Sequence, residues 1–246
     1  MKKLYIVMIL LLSVTMWGCT DKKESKDSVN TPNKIENTVS TPSADRYDIT
    51  KASYTEQNIK IKYPQLSNLH DENRQKKINE LIKTAALMVL DDYRDDIRNL
   101  DLNMDYQIKY QGTGFLSIEY LGLAMVKDAA YPVHLLQTTN IDISKEKQLA
   151  LSDVVTINDS FVKKFTAGQY KAYGSDLNLN SAGMLKEVLS GFSSQDLMES
   201  FKQPTARFYL TQDALGVSIE VPHAVGDHLE MEMAYKDLSG LLSIKP

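Results

Sequence analysis

The sequence contains one cysteine, Cys19, among its 246 residues. A single cysteine excludes an intramolecular disulfide, and no CxxC pair is available for a metal or redox site. The residues that follow it, Thr20–Glu24, are almost all charged, so burial of the thiol in a core is not expected. We expect Cys19 to be a site of covalent modification.

The sequence also lacks a hydrophobic run long enough to cross a membrane. The apolar stretch Leu4–Trp17 has 14 residues, whereas a spanning helix needs about 20. Lys2 and Lys3 precede it, which is the pattern of a secretory signal. Gly18-Cys19 then resembles the lipobox of bacterial lipoproteins, although Met16 and Trp17 depart from its usual residues. An ordinary cleaved signal is the alternative to lipidation of Cys19.

Three regions are predicted along the chain. Residues 1–18 would be a lipoprotein signal peptide, and residues 19–46 a lipid-anchored flexible tether with no aromatic residue before Tyr47. Such a composition cannot offset the entropy cost of ordering. A coil of 26 residues, counted from 20 to 45, would reach on the order of 30 Å. A folded domain is expected at residues 47–244, on the extracytoplasmic face of the membrane.

The sequence has no basic tract, which argues against a nucleic-acid partner. Removal of Lys2 and Lys3 with the signal would leave 26 basic and 32 acidic residues, a formal charge of −6. This charge does not favour docking onto anionic lipid, so acyl chains on Cys19 would hold the protein at the membrane. It would attract a basic protein.

Several stretches alternate apolar and polar residues, as half-buried strands do. The first, residues 51–63, is predicted to end at Pro64. Met104–Tyr110 and Phe115–Val126 flank Gly112-Thr113-Gly114 and predict a hairpin. Further strands are expected at residues 134–143, 206–211, 215–221 and 228–235.

One long amphipathic helix is predicted after an N-cap at Asn68 or Asp71. Its apolar stripe comprises Ile78, Leu81, Ile82, Ala85 and Met88. We interpret the charges of the following run DDYRDDIRN, residues 91–99, as solvated. Shorter helices are expected at residues 159–165, at 182–201 with a break at Gly191, and at 236–242. The absence of regular βαβ alternation predicts an α+β fold with a mainly antiparallel sheet.

Three stretches at the joints of these elements resemble one family. They are RQKKINELI at 74–82, AAYPVHLLQTTNIDISKEKQLALSDVV at 129–155, and FYLTQDALGVSIEVPHAVGDHLEMEMAYKDLSGLL at 208–242. The order and spacing are similar to the RsiV-like extracellular domain family. That domain occurs in RsiV, an anti-sigma factor that senses lysozyme, and ahead of the deacetylase domain of PdaC. The resemblance implies a non-catalytic binding module with parts at 47–126 and 127–244.

This chain departs from the family in one loop. Family members commonly have Gly-Gly-Ala-His-Pro where this chain has Asp128-Ala129-Ala130-Tyr131-Pro132. Tyr131 therefore stands at the position of the family's histidine. The anti-sigma segment of RsiV and the deacetylase domain of PdaC have no counterpart in this sequence.

No catalytic motif is present. The sequence has no GxSxG elbow, no P-loop and no dinucleotide fingerprint. Carboxylate pairs such as Asp95-Asp96 would support glycoside hydrolysis only if a cleft held them about 5–10 Å apart. We predict no enzyme activity and no cofactor, with a hydrolase of the cell wall as the distant alternative.

The histidines do not form a recognisable metal motif. His223 and His228, with Asp227 and Glu230 nearby, have an HxxxxH spacing across a predicted turn, which fixes no ligand geometry. His70 and His134 are far away in the sequence. We predict exposed loop histidines and no metal site.

Two loops are the candidate partner-binding sites. Val221–His228 contains a proline, a glycine and an aspartate, which favour turns, and an ordinary hairpin connection is the simpler interpretation. The alternative is a recognition loop paired with Lys127–His134, because exposed rings are effective contact residues. The candidate contact residues are Tyr131, Pro132, His134, Pro222, His223 and Asp227. The partner is predicted to be lysozyme or another basic protein, with peptidoglycan or another wall polymer as the alternative.

Overall fold

The computed structural model describes residues 46–172 and 183–244. These residues belong to one compact unit. The predicted signal peptide, the predicted lipidation site Cys19 and all but the last residue of the predicted tether lie outside the described residues. Within residues 46–172 and 183–244, no helix is long and apolar enough to span a membrane.

A six-stranded sheet is built from the first half of the described chain. Its neighbouring strands follow the sequence order β1-β2-β3-β4-β5-β6. All pairs are antiparallel except β2 and β3, which run parallel where Ile59–Ile61 pairs with Leu102–Met104. The strands are β1 (Asp48–Glu56), β2 (Ile59–Ser67), β3 (Leu100–Gln111), β4 (Phe115–Val126), β5 (Val133–Asp142) and β6 (Lys147–Gln148).

A four-stranded antiparallel sheet follows, with the order β7-β10-β9-β8. Its strands are β7 (Gln169–Ala172), β8 (Arg207–Leu210), β9 (Ala214–Glu220) and β10 (His228–Ala234). The helices are α1 (Glu72–Leu87), α2 (Leu151–Val154), α3 (Asp159–Thr166), α4 (Met184–Ser190) and α5 (Ser194–Lys202), with 3₁₀ turns at Met88–Tyr93, Ile97–Asn99 and His223–Val225. The predicted α+β class and its antiparallel sheet are confirmed.

Helix α1 begins at Asp71, one of the two predicted caps. The Asp71 carboxylate accepts hydrogen bonds from the backbone N–H groups of Asn73 and Arg74, at 3.0 Å each. On the buried side, Asn79 bonds both backbone groups of Leu66 in β2, its Oδ1 accepting at 2.7 Å and its Nδ2 donating at 2.9 Å. Asn79 therefore satisfies the backbone hydrogen-bonding groups of β2 at a position where β2 no longer pairs with β3.

The prediction that the first strand ends at Pro64 is wrong. Strand β2 continues to Ser67, with Pro64 opposite Lys51 in β1. Beyond Ile61, β2 has a ladder only with β1, so the missing N–H of a proline can face the unpaired side without breaking a sheet hydrogen bond.

Two further details of the predicted helices differ. Met88, placed on the buried stripe, is exposed, because α1 changes there to a tighter 3₁₀ turn. The short helix expected at residues 236–242 is absent, and successive turns replace it. Gly240 has a φ of 83°, which ends any helical continuation, and Leu242 instead bridges to Val155.

The two sheets meet through polar side chains that we call the polar seam: the buried Ser117 and Asn140 and the half-buried Thr138. Asn140 donates to the Phe208 carbonyl at 2.7 Å, and Thr138 accepts from the Phe208 N–H at 3.0 Å. Ser117 donates to Asn140 Oδ1 at 2.6 Å and accepts from the Leu210 N–H at 2.9 Å. The outer edge of β8 is thus paired with side chains of the larger sheet rather than with another strand.

Candidate functional site

The two loops singled out in the sequence lie side by side. The first, Lys127–Pro132, joins β4 to β5, and its Lys127 N–H donates to the Asn99 carbonyl at 2.9 Å. The second, Val221–Asp227, joins β9 to β10. The backbone N–H of His134, at the start of β5, donates to Asp227 Oδ2 at 2.9 Å, so one hydrogen bond joins the larger sheet to the second loop.

The second loop is folded so that Asp227 faces β5. Pro222 has a φ of −55° and precedes the 3₁₀ turn His223–Val225, after which Gly226 (φ 105°) and Asp227 (φ 67°) are both left-handed. The Val221 N–H donates to the Asp227 carbonyl at 2.9 Å and closes the loop. Glycine adopts positive φ without steric cost, and aspartate is among the few other residues that tolerate it.

Asp227 is the centre of what we call the His–Asp cluster: His134, His223 and Asp227. Its Oδ2 lies 2.9 Å from His134 Nδ1, and its Oδ1 lies 3.0 Å from His223 Nδ1. The side chains are 26% (His134), 34% (His223) and 11% (Asp227) exposed. One nearly buried carboxylate therefore faces two imidazoles that solvent can reach.

The charge of Asp227 is stabilised by its partners. Burial alone would raise the pKa of this carboxyl, but the hydrogen bonds from the His134 backbone and ring and from the His223 ring outweigh burial and hold the pKa below its ordinary value. Burial raises the pKa of Tyr93, with contributions from the charges of Asp92 and Asp227. The 3₁₀ turn that ends at Tyr93 therefore lies within electrostatic reach of the cluster.

An apolar surface covers the cluster. The Tyr131 ring stacks on the His223 ring, with centroids 3.9 Å apart and an interplanar angle of 9°, and Tyr131 remains 50% exposed. Leu123, which pairs with His134 across β4 and β5, and Val133 are also exposed. Leu123 therefore lies on the same face of the sheet as His134, whereas Val133, opposite Ala124, points to the other face. We call Leu123, Tyr131, Pro132 and His223 the Tyr131 surface.

Acidic residues dominate the chain segments around this surface. Residues 91–101 carry five aspartates and two arginines, and the two loop segments, 127–134 and 221–228, add Asp128, Asp227 and Lys127. The total is seven acidic against three basic residues, and all the acidic residues except Asp227 are exposed. The negative potential expected from the overall composition is therefore concentrated beside the Tyr131 surface.

The structure brings all six candidate contact residues together. His134, His223 and Asp227 form the His–Asp cluster, Tyr131 stacks on it, and the exposed Pro132 and Pro222 belong to the two adjacent loops. Leu123 and Tyr93 were not predicted. A signal for Leu123 exists only in three dimensions, because it lies in the middle of the apolar run of β4.

The other histidines do not take part. His228, considered with His223 as a possible metal pair, is buried. Burial lowers its pKa to about 4, with Arg207 adding to the effect, and its ring bonds the His134 backbone. Glu230 is buried as well and accepts a hydrogen bond from Tyr209 Oη at 3.0 Å. His223 and His134 are 89 positions apart in the sequence. The fold brings them together, and their spacing in the sequence gives no sign of it.

Comparisons with known proteins give structural neighbours only. No protein-family model matches this chain, and no curated protein matches it. A DUF3298 family member from Bacteroides fragilis NCTC 9343 aligns with a TM-score of 0.49 and 13% identity, over 82% of this chain and 95% of its own. A DUF3298 family protein from Pseudomonas aeruginosa PAO1 aligns with a TM-score of 0.48 and 14% identity, over 82% of this chain and 94% of its own.

Proposed function

We propose that the protein is a lipid-anchored protein of the bacterial cell surface whose domain binds a basic protein such as lysozyme, without catalysing a reaction. The Tyr131 surface would be the contact region. The observation that carries the proposal is the half-exposed Tyr131 ring stacked on His223, which Asp227 holds in turn.

The support beneath Tyr131 favours recognition. Large aromatic side chains contribute most where they are held rigidly and can be desolvated by a partner. His223 is fixed by the stack on one side and by Asp227 on the other, and Asp227 is fixed by the His134 backbone. Because this arrangement exists before binding, less ordering entropy is lost when a partner docks.

The charges of the surrounding segments favour a basic partner. Seven acidic residues against three basic ones would accelerate the encounter with a positively charged protein, and this attraction weakens as salt screens it. Lysozyme, the ligand implied by the sequence resemblance, is the probe of choice.

The test is a calorimetric titration of the full-length protein in detergent with lysozyme, at low and at physiological salt. We expect saturable one-to-one binding that weakens with salt, and a loss of at least about tenfold in affinity for Tyr131→Ala, typical of an anchor residue. Met88→Ala is the matched control, because Met88 is an exposed large hydrophobic residue outside the Tyr131 surface. Absence of heat at tens of micromolar would contradict the lysozyme proposal.

A wall polymer is the second candidate ligand, favoured by the exposure of the Tyr131 ring. A flat aromatic face can stack on a sugar ring, and a neutral glycan gains nothing from the acidic surroundings. Pull-down on purified peptidoglycan would then be insensitive to salt and lost in Tyr131→Ala. Salt-sensitive binding to lysozyme without retention on the polymer would exclude this candidate.

The proposed anchor is tested separately. With Cys19 lipidated, the protein should incorporate radiolabelled palmitate and sediment with membranes. Cys19→Ser should abolish the label and release the chain into the medium. Equal membrane association of both forms would contradict lipidation as the means of attachment.

A further inference from the structure

The His–Asp cluster has the donor set of a zinc site. Two imidazole nitrogens and one carboxylate oxygen are the ligands of many three-residue zinc sites, where a fourth position stays open. His134, His223 and Asp227 each offer a ligand atom, and these atoms all lie within 4.8 Å of one another. His134 lies at the start of β5, and His223 and Asp227 lie in the loop between β9 and β10, so the grouping does not follow from one local turn.

The separations suit a metal ion. With metal–ligand bonds of about 2.1 Å, neighbouring ligands of a tetrahedral ion are roughly 3.4 Å apart. Asp227 Oδ2 lies 2.9 Å from His134 Nδ1 and 3.1 Å from His223 Nδ1. The third separation, between the two imidazole nitrogens, is at most 4.8 Å, so small rotations of the side chains would let the three atoms surround an ion.

Further contacts orient these ligands. The His134 backbone N–H donates to Asp227 Oδ2 at 2.9 Å, the Tyr131 ring stacks on His223, and the buried His228 bonds the His134 backbone. Outer contacts of this kind fix ring orientation in metal sites and contribute to affinity.

We propose that His134, His223 and Asp227 bind one Zn²⁺ ion, with an open coordination position that solvent can reach. Imidazole nitrogen favours zinc over magnesium and calcium, which prefer oxygen ligands. The proposal does not depend on the identity of the protein partner, because it concerns only side chains of this chain.

Proton positions must change when the ion binds. If an imidazole donates from Nδ1 to Asp227, its lone pair lies on Nε2, so coordination through Nδ1 moves the proton to the other nitrogen. Protonation of either ring to the imidazolium removes its lone pair, so zinc affinity should fall as the pH is lowered.

The test is a calorimetric titration of tag-free, chelator-stripped full-length protein with ZnCl₂ at neutral pH. We expect one ion per chain, a rise in melting temperature with zinc, and no binding of MgCl₂. His223→Gln should weaken zinc binding by at least about tenfold. His70→Gln, which replaces an exposed histidine away from the cluster, should leave it unchanged.

X-ray absorption of the zinc-loaded protein supplies a readout that does not depend on variants. A first shell with two imidazole nitrogens and a carboxylate oxygen at about 2.0–2.2 Å supports the site. The proposal is overturned by a stoichiometry well below one ion per chain, by equal loss in His70→Gln and His223→Gln, or by an oxygen-only shell. Melting curves without zinc show whether each variant is folded.

Discussion

Strand β5 contacts the smaller sheet at both of its ends, and the two contacts differ in chemistry. Near its C-terminal end, Thr138 and Asn140 of the polar seam bond the backbone of β8. At its N-terminal end, His134 bonds Asp227. The seam is made of neutral groups, of which Ser117 and Asn140 are buried, whereas the His–Asp cluster is made of ionisable, partly exposed groups.

The two contacts show two different roles of polar groups: the seam stabilises the fold, and the cluster is available to bind a ligand. A buried neutral network with every partner in place stabilises one arrangement of the sheets and has no group left to offer a ligand. The cluster holds a carboxylate and two imidazoles within reach of solvent, where a proton, an ion or a partner can change it. Substitutions at the two ends of β5 should therefore affect different properties.

The largest expected effect is that of Asn140→Ala in the seam. It leaves the Phe208 carbonyl and the Ser117 hydroxyl without their buried partner, at a total cost of about 4 kcal/mol. Chemical denaturation measures this loss, with Asn103→Ala on an exposed position of β3 as the control. Equal stability of the two variants would mean that the seam does not hold the sheets together.

The second effect is a pH dependence of the free energy of unfolding, caused by the buried His228 next to the cluster. Its pKa is lowered from 6.5 to about 4 by burial. The unfolded chain therefore binds a proton that the folded chain does not between these values, and stability falls as the pH drops through this window, by about 3 kcal/mol in full. Unfolding measured from pH 7 to 4 should show a flatter slope of stability against pH for His228→Gln than for the native sequence, and equal slopes would contradict this assignment.

A smaller loss is expected for Asp227→Asn, about 1 kcal/mol at pH 7, because the charged acceptor of two imidazoles becomes a neutral one. The pKa of Asp227 is lowered in the folded state, so its contribution is present above the ordinary value and is lost as the pH falls through the folded one. The two curves of stability against pH should converge below about pH 4. A difference that persists in acid would point to steric disturbance of the loop.

The smallest effect on stability is expected for Tyr131→Ala, under about 0.5 kcal/mol, since half of the side chain is already exposed. The melting temperature should stay near that of the native sequence while partner affinity falls. A large destabilisation would show that the stack on His223 is part of the core and not a binding surface.

Sequence patterns predicted the local parts of the fold. The alternation around Gly112–Gly114 predicted the β3–β4 hairpin, and Asp71 was one of the two expected caps, because both signals depend on neighbouring residues. The continuation of β2 past Pro64 was missed. Proline is tolerated there because no strand among the described residues pairs with that side of β2, and the sequence does not show which sides of a strand are paired. The division into two sheets was missed as well, since it depends on pairings such as Asn140 with Phe208, 68 positions away.

The residues of the candidate site were predicted from their types, but the contacts between them were not predicted. Rings in two turn-rich loops were selected because rings make good contacts, and the structure brings them together. The bond between His134 and Asp227 spans 93 positions, so the argument against a metal site from sequence distance does not hold in three dimensions. Leu123 gave no signal, because the second half of β4, residues 120–126, is apolar on both faces and the one exposed residue of the strand does not stand out.

The polar seam also sets an order of events in folding. Strands β1–β6 are complete by Gln148, but Ser117 must wait for the Leu210 N–H, 93 positions later in the chain. Contacts between such distant residues form slowly because a long loop must be closed first. Pulse-labelled hydrogen exchange should therefore show the amides of the β3–β4 hairpin protected before that of Leu210. A chain in which β1–β6 have folded but β8 has not would expose the polar side chains of the seam without their backbone partners in β8.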